Sequence, residues 1–128
     1  MAKGHRSQIK RERNAVKDTR PSAKLSYARV SVQKACFVLD AIRGKSVEEA
    51  RAILANQPQR ASRVISKVLE SATANAVNNF GMKEENLYVK TCFVDEALVI
   101  KRIKFDSRGR TGRNDHKTSH ITIIVAEK

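Results

Sequence analysis

Residues 86–127 read NLYVKTCFVDE (86–96), ALVIKRIKFDSRGRTGRNDHKT (97–118) and SHITIIVAE (119–127). The first and third pieces are rich in β-branched and aromatic residues and predict strands. Between them apolar content falls, charge rises, and Gly109 and Gly112 enter. If the two strands pair as a hairpin, residues 97–118 form a long protruding loop or ribbon. Half of that segment on each arm, at about 3.3 Å per residue, reaches roughly 35 Å from the body. A connection this long is uncommon in a small domain, and where one occurs it is as a rule either functional or disordered.

Upstream, the period changes to that of helices. Val64, Ile65, Val68, Leu69, Ala72 and Ala76 mark one stripe of a long helix over residues 59–80, with Gly81 placed for its C-terminal cap. The small residues at 71–76 allow a neighbouring backbone to approach closely, and the sheet is the expected neighbour. Ser46 and Glu49 have the spacing of a capping box for a short second helix that Asn56 and Pro58 end. A first helix over residues 32–43 follows from Val32, Ala35, Cys36, Leu39 and Ile42, with Ser31 to start it and Gly44 to stop it. Residues 24–31 (KLSYARVS) alternate weakly and predict a first strand. Residues 1–22 are too polar for a core element and read as a basic arm, leaving residues 23–128 as one globular unit.

The 128 residues carry 26 Lys and Arg against 13 Asp and Glu, a net charge of +13 that points to a polyanion as partner. A surface made basic for solubility alone would spread this charge evenly. Instead residues 1–29 hold nine cations against Glu12 and Asp18, and residues 101–118 hold seven against Asp106 and Asp115. Residues 30–100 nearly balance, with nine cations and eight acids. A neutral body with two basic appendages is the simplest arrangement.

Lys101-Arg102-Ile103-Lys104-Phe105, followed by Arg108-Gly109-Arg110-Thr111-Gly112-Arg113, suits a sugar-phosphate backbone. Guanidinium forks grip phosphate oxygens in pairs, and glycine removes bulk where chains approach. The bland alternative is a solvated flexible loop. Phe105 can wedge or stack against a base, or staple the two arms together. Tyr27 and Tyr88 fit core or rim positions in strands.

Other chemistry finds little support. Cys36 and Cys92 are far apart at apolar-patterned positions, as buried thiols of a reducing compartment are. His116 and His120 are four apart but run into a strand, a poor metal-ligand spacing. His120 is expected to donate hydrogen bonds at the base of the ribbon. Ser119-His120 has no evident acid partner, and neither a carboxylate cluster nor a phosphate-binding glycine loop is present. No cofactor or metal is expected. No secretory signal is visible, and the longest nearly apolar stretch is too short to span a bilayer, so the cytoplasm is the expected compartment.

Several segments together resemble one family, the bacterial-type large-subunit ribosomal protein numbered twenty-two. They are Tyr27-Ala28-Arg29-Val30-Ser31, residues 38–46 (VLDAIRGKS), residues 67–76 (KVLESATANA) and residues 117–123 (KTSHITI). Lys101-Arg102 with Arg108-Gly109-Arg110 resembles the family's hairpin, and the likeness runs in order over about residues 23–127. It implies an α+β fold with three helices on a three-stranded antiparallel sheet, a long protruding β-hairpin and a basic N-terminal arm. It also implies contact with 23S rRNA, assistance in early subunit assembly, and a hairpin lining the peptide exit tunnel beside ribosomal protein four and the nascent chain. Macrolide antibiotics bind near that hairpin in the family.

Taken with the basic segments, the candidate rRNA contacts are Lys24, Arg29, Ser31, Lys34, Arg43, Lys45, Lys67, Asn75, Lys101, Arg102, Lys104, Arg108, Gly109, Arg110, Arg113, Lys117, Ser119 and His120. The chain departs from the family's Ser-Pro-Arg-Lys at Ser31-Val32-Gln33-Lys34, and from its usual hairpin at Phe105-Asp106-Ser107 and Asn114-Asp115-His116. Two other classes compete: a DNA-bending protein with a basic β-arm, and an RNA-processing enzyme.

Overall fold

Alternation in residues 119–127 places Ile121, Ile123 and Val125 on one face, and all three are fully buried. That strand is the centre of the sheet in the computed structural model, which describes residues 20–128 together with residues 8, 10 and 11. The strands are β1 (Ser22–Ala28), β2 (Leu87–Glu96), β3 (Ile100–Phe105), β4 (Thr111–His116) and β5 (Ser119–Glu127). The helices are α1 (Val32–Ile42), α2 (Val47–Asn56) and α3 (Arg60–Phe80). β1, β5 and β2 lie side by side in that order, antiparallel throughout.

Register decides the apolar face. Ile121 and Ile123 of β5 oppose Leu25 and Ala23 of β1, and Val94 and Cys92 of β2. A bulge between Val89 and Thr91 puts both Val89 and Cys92 inward although they are three residues apart. Against this face pack Ala35, Val38, Leu39 and Ile42 of α1, Val47, Ala50 and Leu54 of α2, and Ile65, Leu69, Ala72 and Ala76 of α3. The close approach predicted for residues 71–76 is made to the sheet, where Asn75 Nδ2 donates to the Ser22 carbonyl at 3.0 Å.

Local signals at the start of α2 and the ends of α1 and α3 are satisfied in kind, whereas Ser31, expected to cap α1, makes no side-chain cap hydrogen bond. Ser46 Oγ accepts from the Glu49 amide at 3.3 Å while a Glu49 carboxylate oxygen accepts from the Ser46 amide at 3.4 Å. Ser46→Ala is therefore expected to lower stability by about 1 kcal/mol, read from a denaturant midpoint, because the Glu49 amide in the first turn of α2 loses its acceptor. Gly81 adopts φ +65°, which ends α3 as expected. Gly44 does the same after α1 at φ +75°.

Four expectations need correction. The first strand begins and ends earlier than residues 24–31, because the Pro21 carbonyl accepts from the Val125 amide and pairing starts there. Tyr27 then takes φ +57° in a bulge, and Val30 lies in a turn. Tyr27 is neither core nor rim, being 63% exposed. Cys92 is buried, but Cys36 is only half-buried; both are free thiols. Of the predicted arm, most of residues 1–19 lie outside the described residues, and Pro21 and Ser22 already belong to the sheet edge.

Cys92 donates weakly to the Leu39 carbonyl at 3.6 Å, and burial pushes its thiol pKa up, partly offset by Arg43. It is expected to react with an alkylating reagent only after unfolding, whereas Cys36 reacts in the folded chain. Mass spectrometry of timed alkylation distinguishes the two sites.

Candidate nucleic-acid interface

Residues 97–118 form an ordered ribbon, which resolves the choice between loop and ribbon. Ile100 faces His116 and Phe105 faces Thr111 across β3 and β4. The Ala97 amide donates to the Thr118 carbonyl at 3.2 Å, and the Thr118 hydroxyl donates to the Leu98 carbonyl, closing the base. At the tip the Asp106 amide donates to the Arg110 carbonyl at 2.7 Å, and a carboxylate oxygen of Asp106 accepts from the Ser107 amide. Arg108 and Gly109 both have positive φ there, at 59° and 72°. No atom of this chain would meet a Cβ at Gly109, so within the chain what calls for glycine there is the positive φ of the turn.

The ribbon packs on itself and hardly on the body. Every residue from 101 to 110 is exposed. Among the described residues, Lys101, Lys104, Arg108 and Arg110 form no ion pair, while Arg102 donates only to the adjacent Lys101 carbonyl. Arg113 differs: its Nε lies 2.6 Å from an Asp115 oxygen, and that hydrogen bond and charge hold its guanidinium protonated still more firmly. Phe105 is 80% exposed, so it does not staple the arms.

Two concave basic surfaces are found among the described residues of the body. The larger, a groove of about 1180 Å³, lies where the starts of α1 and α3 meet the ribbon's base. Arg29, Ser31, Lys34, Arg102 and Lys117 line it, all predicted, and so do Gln33, Phe37, Gln59 and Arg60, which were not. The smaller, about 510 Å³, runs between β1 and α3 and gathers Lys24, Lys67 and Asn75 with the unpredicted Arg63.

Helix ends explain why the larger groove suits anions. A helix N-terminus carries unpaired amides and partial positive charge, and normally attracts acids or a capping side chain. α2, which does not line the groove, has both, with Glu48 and Glu49 in its first turn. Neither α1 nor α3 has a side-chain cap or an acid in its first turn, and Lys34 and Arg60 stand there instead. Cations at a positive helix end repel unless a bound anion reverses the balance. Arg60 in the first turn of a predicted helix was the sequence signal for this missed residue.

The remaining candidates lie elsewhere. Arg43 pairs with Asp40 at 2.9 Å and donates to the Cys92 carbonyl, and Lys45 follows in a loop bonded to Val89 of β2. Both sit apart from the grooves. Ser119 is fully buried with its hydroxyl unpartnered, so its side chain is not presented to a phosphate outside. His120 reverses its expected role: Nδ1 accepts from the Tyr27 amide at 3.1 Å, and the two rings meet edge to face at 4.7 Å. That acceptor holds Tyr27 in its left-handed conformation. Among the described residues no cluster of His, Cys, Asp or Glu could hold a metal, and no helix is long and apolar enough to cross a membrane.

A family model described as ribosomal protein L22p/L17e matches residues 23–126. The chain belongs to this family. Over full length on both sides it is 61% identical to the large ribosomal subunit protein uL22 of Lachnospira eligens. The protein of the same name from Agathobacter rectalis is 62% identical, also at full length. A more distant uL22, from Thermus thermophilus, is 51% identical over 102 residues, covering 80% of this chain and 90% of the relative. The L22p/L17e family consists of ribosomal proteins, and the chain is accordingly not an enzyme. All three helices, the whole ribbon and all of the sheet but its terminal residues Ser22 and Glu127 fall within the matched residues.

Proposed function

We propose that the chain is a structural constituent of the large ribosomal subunit that binds 23S rRNA in the cytoplasm. One observation carries the binding role: a ribbon whose Lys101, Lys104, Arg108 and Arg110 are exposed, unpaired among the described residues, and carried away from the body on a paired main chain. Side chains placed this way repel one another in the free protein and gain most by displacing counterions from RNA. The two basic grooves supply anchoring contacts at the ribbon's base and along β1.

On this reading the body sits near the exit of the peptide tunnel and the ribbon extends inward to line it. There it meets ribosomal protein four and the nascent chain, and the protein assists early subunit assembly by holding several rRNA domains together. The full set of proposed contacts is the predicted one without the Ser119 side chain, enlarged by Arg60 and Arg63. The protein is expected to sediment with the large subunit and remain there through a moderate salt wash. Recovery of the chain as free protein under that wash would contradict the proposal.

A further inference from the structure

Among the residues lining the larger groove, Phe37 carries the large apolar ring, with the smaller imidazole of His116 also at the lining, and Phe37 is 68% exposed. The core does not need it. α1 buries Ala35, Val38, Leu39 and Ile42, and Phe37 lies off that stripe. A single exposed apolar residue is ordinary on a protein surface. Its neighbours make this one different. Gln33 and Lys34 sit one helical turn before Phe37, so all three share the face that lines the groove. Arg29, Arg60, Arg102 and Lys117 surround the same space, against Asp115 alone among acids there, which Arg113 already engages.

We propose that this groove receives an unpaired nucleotide of the RNA, with its base stacked on the Phe37 ring and the flanking phosphates held by Lys34, Arg60 and Arg29. The inference rests on the RNA-binding reading above and adds the form of RNA recognised. A base inside a duplex has both faces covered by its neighbours, so an aromatic platform selects an unstacked nucleotide from a loop or bulge. The groove's volume of about 1180 Å³ leaves room for sugar and phosphates beside the base. An apolar protein segment is the poorer occupant, because it would bury a concentration of cations without supplying counter-charge.

The test uses the full chain and a single-stranded RNA of about nine nucleotides carrying a fluorescent adenine analogue at its centre. Binding is expected to quench the analogue. Phe37→Ala should weaken binding about tenfold and remove most of the quench while leaving the salt dependence unchanged. Phe37→Tyr should keep affinity and quench. Lys34→Ala should reduce the salt dependence but not the quench at saturation. A quench and affinity that survive Phe37→Ala would overturn the assignment, as would equal competition by a duplex of the same sequence. If the unaltered chain binds neither this RNA nor fragments of 23S rRNA, the broader reading falls with it. Strong, salt-sensitive rRNA binding that is blind to Phe37 sinks this inference alone.

Discussion

Replacing Lys101, Arg102, Arg108 and Arg110 together by alanine should weaken binding to a 23S rRNA fragment by about a hundredfold, with the slope of log affinity against log salt falling by roughly three. Each cation that neutralises a phosphate releases a condensed counterion, so four lost contacts are read directly in the slope. The fold should not change, since these side chains are exposed and the ribbon is held by backbone pairing. Thermal unfolding of the variant therefore serves as its internal control. Arg113→Ala should alter the slope less, because Asp115 already neutralises that guanidinium. An unchanged slope in the fourfold variant would transfer the phosphate contacts to the grooves.

Leu69→Ala is expected to have the largest effect on stability, a loss of about 3 kcal/mol. Leu69 is fully buried in the core cluster shared by α3 and the sheet. Its neighbours are constrained on both sides: Ala72 and Ala76 lie one and two turns on, already small because the sheet comes close. The space left by the lost side chain cannot be refilled without moving the whole helix. Chemical denaturation gives the loss as a lowered midpoint at unchanged slope. A loss below about 1 kcal/mol would mean that α3 relaxes onto the sheet, contrary to close packing there.

Body and ribbon, the two layers these substitutions probe, were legible in the sequence to different degrees. The body could be read locally. The stripe from Val64 to Ala76, the Ser46–Glu49 box and the terminal glycines each depend on residues a few positions apart, and the structure honours them. The ribbon was legible as a change in composition between two strands. The first strand was misplaced because its start depends on a bond from Val125 to Pro21, which no local alternation encodes. Tyr27 looked like a core aromatic for the same reason: its bulge is held by His120, ninety-three positions away.

The grooves were the least legible part. Arg29, Arg60, Arg102 and Lys117 are scattered over four segments, and only the packing of α1 and α3 beneath the ribbon brings them together. Charge counts found the ribbon but not this convergence, since Arg60 lies in residues 30–100, which are nearly neutral in sum, and a count by segment does not say which segments meet. The signal available was positional. A cation at the start of a helix opposes the local field, and both helices that open into the groove have one. Ser119 shows the converse error, a polar residue next to basic ones that the register of β5 turns inward.

A density map of the large subunit containing this chain would measure the relation between ribbon and RNA directly. Residues 97–118 are expected to be enclosed by 23S rRNA along the tunnel wall, with Arg108 and Arg110 within hydrogen-bonding distance of phosphates and the body seated at the subunit surface. A ribbon found in solvent, or folded back over α1 with its guanidinium groups paired to the chain's own acids, would contradict the RNA-binding role.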